Sequence, residues 1–107
     1  MTQMADALAA VNIEHYGDHP PGMPNILGGT PRGYSRTTED IGTDVALSTT
    51  QEHLDEDTLN DYRKNDSSSP ADVLQYKGDH YLLEGHHRAV AARMEGRPLR
   101  ARVYRPR

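Results

Sequence analysis

The chain has 107 residues, enough for one domain. Its apolar content is 35%, with neither Phe nor Trp, so any core is small and built from Leu, Val, Ile, Ala, Met and Tyr. The net charge is −4, and the absence of cysteine excludes disulfides and thiolate zinc sites.

Residues 2–11 predict a short helix. Met4, Leu8 and Val11 fall at i, i+4 and i+7, and Thr2 is placed to cap it. Such a helix is marginal in water and needs a surface to pack on. Residues 15–36 are dense in Gly and Pro, including Gly17, Pro20, Pro21, Gly22, Pro24, Gly28, Gly29, Pro31 and Gly33. That density breaks regular structure. An irregular run of about twenty residues is either functional or an arm that lies against the domain or another copy. His15 and His19 are four apart, but Gly17 and the prolines argue against a helical metal pair, so no metal site is expected there.

Residues 44–48 predict a strand. Thr49, Thr50 and Gln51 then lead into a helix with Leu54, Leu59 and Tyr62 as its apolar contacts. Asp55, Glu56 and Asp57 fall in its first turn, where the helix dipole favours carboxylates. Residues 65–70 are a loop by composition. Residues 73–76 and 80–83 form a hairpin around the turn at 77–79. A second helix runs to about Glu95, with Gly96 as its C-terminal stop and Pro98 just beyond. Leu99, Ala101 and Val103 alternate with Arg100, Arg102 and Tyr104, a half-buried strand with a basic outer face. The order strand, helix, strand, strand, helix, strand predicts a small α+β domain with a mixed sheet over 41–107. Residues 1–40 form its N-terminal helix and arm. No apolar run nears the length of a membrane span, and Met1 to Met4 begin no signal-peptide pattern, so no membrane partner and a cytoplasmic location are expected.

The chemistry concentrates where the second strand of that hairpin enters the second helix. Tyr81, Leu82 and Leu83 suit a strand, Gly85 permits a tight turn, and Ala89, Ala91 and Ala92 favour helix. His86, His87 and Arg88 therefore stand in a first helical turn, beside backbone N–H groups that suit an anion. The Arg88 guanidinium adds a fork matched to phosphate oxygens. Glu84 sets a carboxylate at the edge of the same turn, fit for a base, a metal ligand or an acceptor for a substrate hydroxyl. The bland alternatives are a surface ion pair of Arg88 with Glu84 or Glu95, one histidine facing inward, and an exposed strand-end carboxylate.

Glu84-Gly85-His86-His87-Arg88 followed by Ala91-Ala92 and Gly96 resembles the (D/E)-G-H-H-R-x-x-A-A motif of the ParB/sulfiredoxin superfamily. The likeness covers about residues 45–103 and is closest to phage-type single-domain members. It implies phosphate binding at residues 85–88, hence a nucleotide or nucleic acid as ligand, with ATP, CTP and Mg²⁺ as candidates. It also implies a contact from Gln51, which resembles the Thr-Gln pair that opens a helix in phage-type members. Sulfiredoxin chemistry is excluded, because His86 stands where that enzyme needs cysteine.

Charge adds to this. Residues 1–84 carry five Lys/Arg against fifteen Asp/Glu, a net of −10, whereas residues 85–107 carry seven Arg against one Glu, a net of +6. A basic end after a phosphate motif suits nucleic acid, and equally suits neutralisation of the acidic half. Three functions stay open. The first is a nucleotide or nucleic-acid binder that catalyses phosphodiester cleavage or phosphoryl transfer, with Glu84 and His86 as its catalytic residues. The second is a non-catalytic DNA-binding module; partition proteins carry a separate helix-turn-helix reader after this fold, and no such segment follows the last strand here. The third is a phage-derived structural or interaction protein that keeps the fold, with a partner or second copy engaged through residues 15–36.

Overall fold

The computed structural model describes residues 2–3, 12–15, 20–49, 53–64 and 69–107. Eight strands and two helices lie among them: β1 Thr2–Gln3, β2 Ile13–His15, β3 Tyr34–Ile41, β4 Leu47–Thr49, β5 His53–Leu54, α1 Glu56–Lys64, β6 Ala71–Tyr76, β7 Asp79–Glu84, α2 His86–Met94 and β8 Leu99–Pro106. Strands β1 and β5 form a small antiparallel pair. The other six make one mixed sheet in the order β2-β4-β7-β6-β8-β3. Within it β2, β4 and β7 run parallel, β6 pairs antiparallel with β7 and parallel with β8, and β3 closes the far edge antiparallel to β8.

The expected α+β class and mixed sheet are therefore present, and the sheet takes strands from both sides of residue 40. The hairpin β6–β7 turns on Lys77 (φ 50°) and Gly78 (φ 87°), the two left-handed residues that a two-residue hairpin loop requires. Helix α2 stops where expected. Gly96 has φ 69°, its N–H donates to Arg93 O at 3.2 Å, and the Arg97 N–H donates to Ala92 O at 2.8 Å. That is a Schellman end, which satisfies carbonyls the helix leaves open.

Three expectations are corrected. Strand β4 begins at Leu47, not residue 44, because Val45 N–H closes a turn onto Gly42 O at 3.2 Å. Helix α1 begins at Glu56; Leu54 lies in β5 and Asp55 is the cap, its carboxylate accepting from both Thr58 N–H and Thr58 Oγ1. The irregular stretch ends at Gly33, since Tyr34–Ile41 is an eight-residue strand. Thr2 and Gln3 belong to β1, whereas the helix expected to continue over 4–11 lies outside the described residues, as does His19.

The core lies between the sheet and the helices. Leu47, Val73, Leu82, Ala101 and Val103 face Ala89, Val90 and Ala92, all buried. Residues 89–93 of α2 are buried in succession, more than a full turn, so this helix is enclosed on every side. The sheet covers one side and α1 packs on another. Alanines let both come close. The alternation expected of β8 is present at Leu99, Ala101 and Val103, which are buried, and at Arg100 and Arg102, which reach solvent, but Tyr104 on that outer face is buried with Leu74 and Tyr81.

Arg93 ends this buried run. It donates to Asn12 O (3.3 Å), Gly42 O (3.2 Å) and Val45 O (2.6 Å), tying two loops to the helix, and burial lowers its pKa. Arg93→Ala removes three hydrogen bonds that tie the loops to the helix, although Asn12 O and Gly42 O keep the N–H groups of Leu47 and Val45, and is expected to cost about 2–4 kcal/mol in urea denaturation. A smaller effect is expected at the sheet edge. Glu39 accepts from Arg105 at 2.6 and 2.8 Å and from Thr37, which together lower its pKa from 4.5 to about 2. A depressed carboxylate pKa stabilises the fold above the unfolded value and loses that contribution as pH falls through the folded one. Both side chains are more than a third exposed, so the pair contributes about 1 kcal/mol or less at pH 7. The stability gap between wild type and Glu39→Gln, followed by urea melts across pH, is expected to close between about pH 4.5 and 2.

Candidate functional site

The end of β7 is shaped by one close approach. Gly85 has φ 83°, and a Cβ there would lie 2.8 Å from Ala71 Cβ and 3.0 Å from Ala71 Cα. Only glycine fits both the left-handed backbone and the gap. The chain thus turns against the first residue of β6 and enters α2 at once, with Ala89 N–H donating to Gly85 O at 2.9 Å. No side chain caps this helix start. Because β4 runs parallel to β7, its C-terminal residue Thr49 arrives at the same end of the sheet. The crevice outside the carboxyl ends of parallel strands is where open α/β sheets bind ligands.

His86, the first helical residue, meets β4 there. Its Nδ1 lies 2.7 Å from the Oγ1 of the fully buried Thr49. His87 is turned towards α1, and its Nε2 accepts the Asp55 N–H at 2.9 Å. An accepting Nε2 places the ring proton on Nδ1. His87 therefore links the starts of the two helices. Arg88 folds back under the turn. One guanidinium nitrogen would lie 2.9 Å from a Cβ on Gly85, the head stands 5.9 Å from the Tyr62 ring centre, and the buried Nε has no hydrogen-bond partner among the described residues. Neither glutamate weighed as its partner reaches it: Glu95 binds Arg63 at 2.7 Å.

Glu84 sits elsewhere. The register shifts between Asp72 and Val73, where Glu84 faces Asp72 but Leu82 faces Val73, leaving Leu83 as a bulge. Residues opposite each other share a face. The bulge therefore swings Glu84 onto the face of Asp72 and Leu74, away from the helices. There it is exposed and, with Leu83, lines a cleft of about 320 Å³ against Met23, Pro24, Ile26 and Leu27. The Glu84 carboxylate makes no hydrogen bond or ion pair among the described residues. The structure so brings Thr49, His86 and His87 together on one side of the strand end and sets Glu84 on the other. Gln51 lies outside the described residues.

Two residues at this end, Thr49 and Arg97, carry no functional expectation from the sequence. Arg97 donates to Tyr62 O (3.0 Å) and Arg63 O (3.3 Å), closing the C-terminal end of α1. With Arg88, Arg100, Tyr62 and Ser69 it also surrounds a water-sized cavity of about 20 Å³. A shared count of arginines was visible in the sequence, but their convergence needed the packing of α1 on α2.

Three of the seven arginines of the basic C-terminal end meet carboxylates of the chain. Arg102 forks onto Asp72 at 2.8 and 3.0 Å, Arg105 onto Glu39, and Arg100 lies 3.8 Å from Asp40. Among the described residues no helix is long and apolar enough to cross a membrane. The chain matches no protein-family model, no curated protein and no solved structure.

Gly85→Ala tests the turn. Positive φ and the collision with Ala71 together are expected to cost about 2–4 kcal/mol in a thermal or urea melt. Gly78→Ala, also at positive φ but with open space around it, is expected to cost less.

Proposed function

We propose that the Gly85 turn and the first turn of α2 bind the phosphate of a nucleotide or nucleic acid. The observation that carries this is the uncapped start of α2, held at the carboxyl ends of β4 and β7 by a turn only glycine can make. The likeness of residues 84–92 to the ParB/sulfiredoxin motif supports the same reading. Backbone N–H groups of residues 86–88 and the His86 imidazole would meet the phosphate oxygens. ATP, CTP or a DNA strand, with or without Mg²⁺, are the ligands of this chemistry. In the enzymatic form of the reading, a nuclease or phosphotransferase, His86 moves a proton and Glu84 receives a substrate hydroxyl or the metal from the other side of the strand end.

A second reading rests on a specific observation. His87 and Arg88 are engaged with α1, at Asp55 N–H and the Tyr62 ring, which suits a phage-type structural or interaction protein that keeps the turn for folding. Its partner would be met through the Gly/Pro-rich segment that borders the Glu84 cleft.

Calorimetric titration with ATP, CTP and a short DNA duplex, with and without Mg²⁺, separates the two. Saturable binding is expected, weakened about tenfold or more by His86→Ala in a protein that remains folded. A folded wild-type protein that binds none of these ligands overturns the phosphate reading in favour of the structural one.

A further inference from the structure

Strand β3 forms one edge of the six-stranded sheet and has eight residues, longer than the usual strand. No Pro, Gly or bulge interrupts it: its pairing with β8 runs unbroken from Tyr34↔Pro106 to Ile41↔Leu99, and its charges, Arg36, Glu39 and Asp40, are of both signs. The direction of its free groups follows from one bond. Arg107 N–H donates to Gly33 O at 2.9 Å, which continues the same register by one pair. Antiparallel pairs alternate between bonded and non-bonded, so the odd-numbered residues of β3 bond to β8 and the even-numbered ones point outward. Pro106, which lacks an N–H, stands opposite Tyr34 in agreement with this. Tyr34 is already satisfied, by Pro31 O and by Arg107 Nε. The main-chain groups of Arg36, Thr38 and Asp40 therefore point away from β8, and all three residues are exposed.

We propose that β3 pairs antiparallel with β3 of a second copy, across a two-fold axis at Thr38, to join two sheets into one. A two-fold axis perpendicular to a sheet sets residues whose numbers sum to a constant even value opposite each other. Centred on Thr38, this faces Arg36 with Asp40 of the other copy, twice. All the paired main-chain groups are the outward ones, giving about six bonds between copies. The charges select this register. Arg36 has no ion pair among the described residues, and Asp40 has only the long, exposed contact with Arg100. Side chains of 36, 38 and 40 share one face, so each Arg36 lies beside the carboxylate it faces. Centring on Thr37 instead would set Arg36 against threonine and Tyr34 against aspartate. The proposal is independent of any phosphate site.

Edge pairing of this length buries less than a standard interface, so the dimer is weak and concentration-dependent. Sedimentation equilibrium on the full chain is expected to show a monomer at low concentration and a dimer at about 0.1 mM. Thr38→Pro removes an outward N–H without touching the β8 ladder, and is expected to give a folded monomer throughout. Arg36→Asp is expected to weaken the dimer about tenfold, and Arg36→Asp with Asp40→Arg to restore it. Should Thr38→Pro fail to fold, the charge-swap series decides alone. A wild-type monomer at all concentrations, a dimer indifferent to Thr38→Pro in a folded protein, or a double variant no better than the single one overturns the proposal.

Discussion

The contact between Gly85 and Ala71 governs how the rest of the molecule is arranged. It joins the end of β7 to the start of β6, two positions that the hairpin already brings together, and leaves no room for a side chain between them. Because the turn is so tight, α2 begins within one residue of the sheet and lies close along it. A helix at that distance must present small residues, and Ala89, Ala91 and Ala92 do so. The other flank of α2 is then free to receive α1. His87 and Arg88, which the same turn aims at α1, add a hydrogen bond and a ring contact to that packing. The features that make the helix start resemble an anion site and those that hold two helices together are thus the same few residues.

Arginine supplies much of what a core without Phe or Trp does not. Arg93 gathers three loop carbonyls, Arg97 closes the end of α1, and Arg102 forks onto the buried Asp72 with Tyr104 Oη 3.4 Å from the same carboxylate. Each joins segments thirty or more residues apart in sequence. Their stems bury apolar surface while their heads satisfy polar groups that would otherwise be stranded. The opposed charges of the two parts of the chain meet within one molecule at Arg100, Arg102 and Arg105. Electrostatic attraction to nucleic acid has correspondingly less support from the basic end than its bare charge implies.

The elements legible in the sequence are those with strong local signals. The Lys77-Gly78 turn, the glycine before α2 and the glycine after it each announce a left-handed residue, and the structure has one at each. Strand β3 was not legible, because Tyr34 to Asp40 carry no buried apolar residue and only Ile41 reaches the core. Its place is fixed by ladder bonds and the Glu39–Arg105 pair, which lie 66 residues apart. Strands β1, β2 and β5 are too short to produce a period. At the site, residues 84–88 were legible as a group, but their division was not. A bulge at Leu83 sends Glu84 to one face, and the position of α1 draws His87 and Arg88 to the other. Neither influence is local to the motif.

The place of β8 in the sheet sets an order of assembly. Among the described residues strand β3 pairs only with β8, and the two are separated by 58 to 72 residues of chain. The ladder bonds of β3 form only once β8 is at hand, at the far end of the chain. Long-range closure of this kind is slow, since the loop entropy is lost before the contacts form. The edge strand is therefore expected to join late on folding. By the same dependence, it can detach from the sheet without disturbing any other pairing.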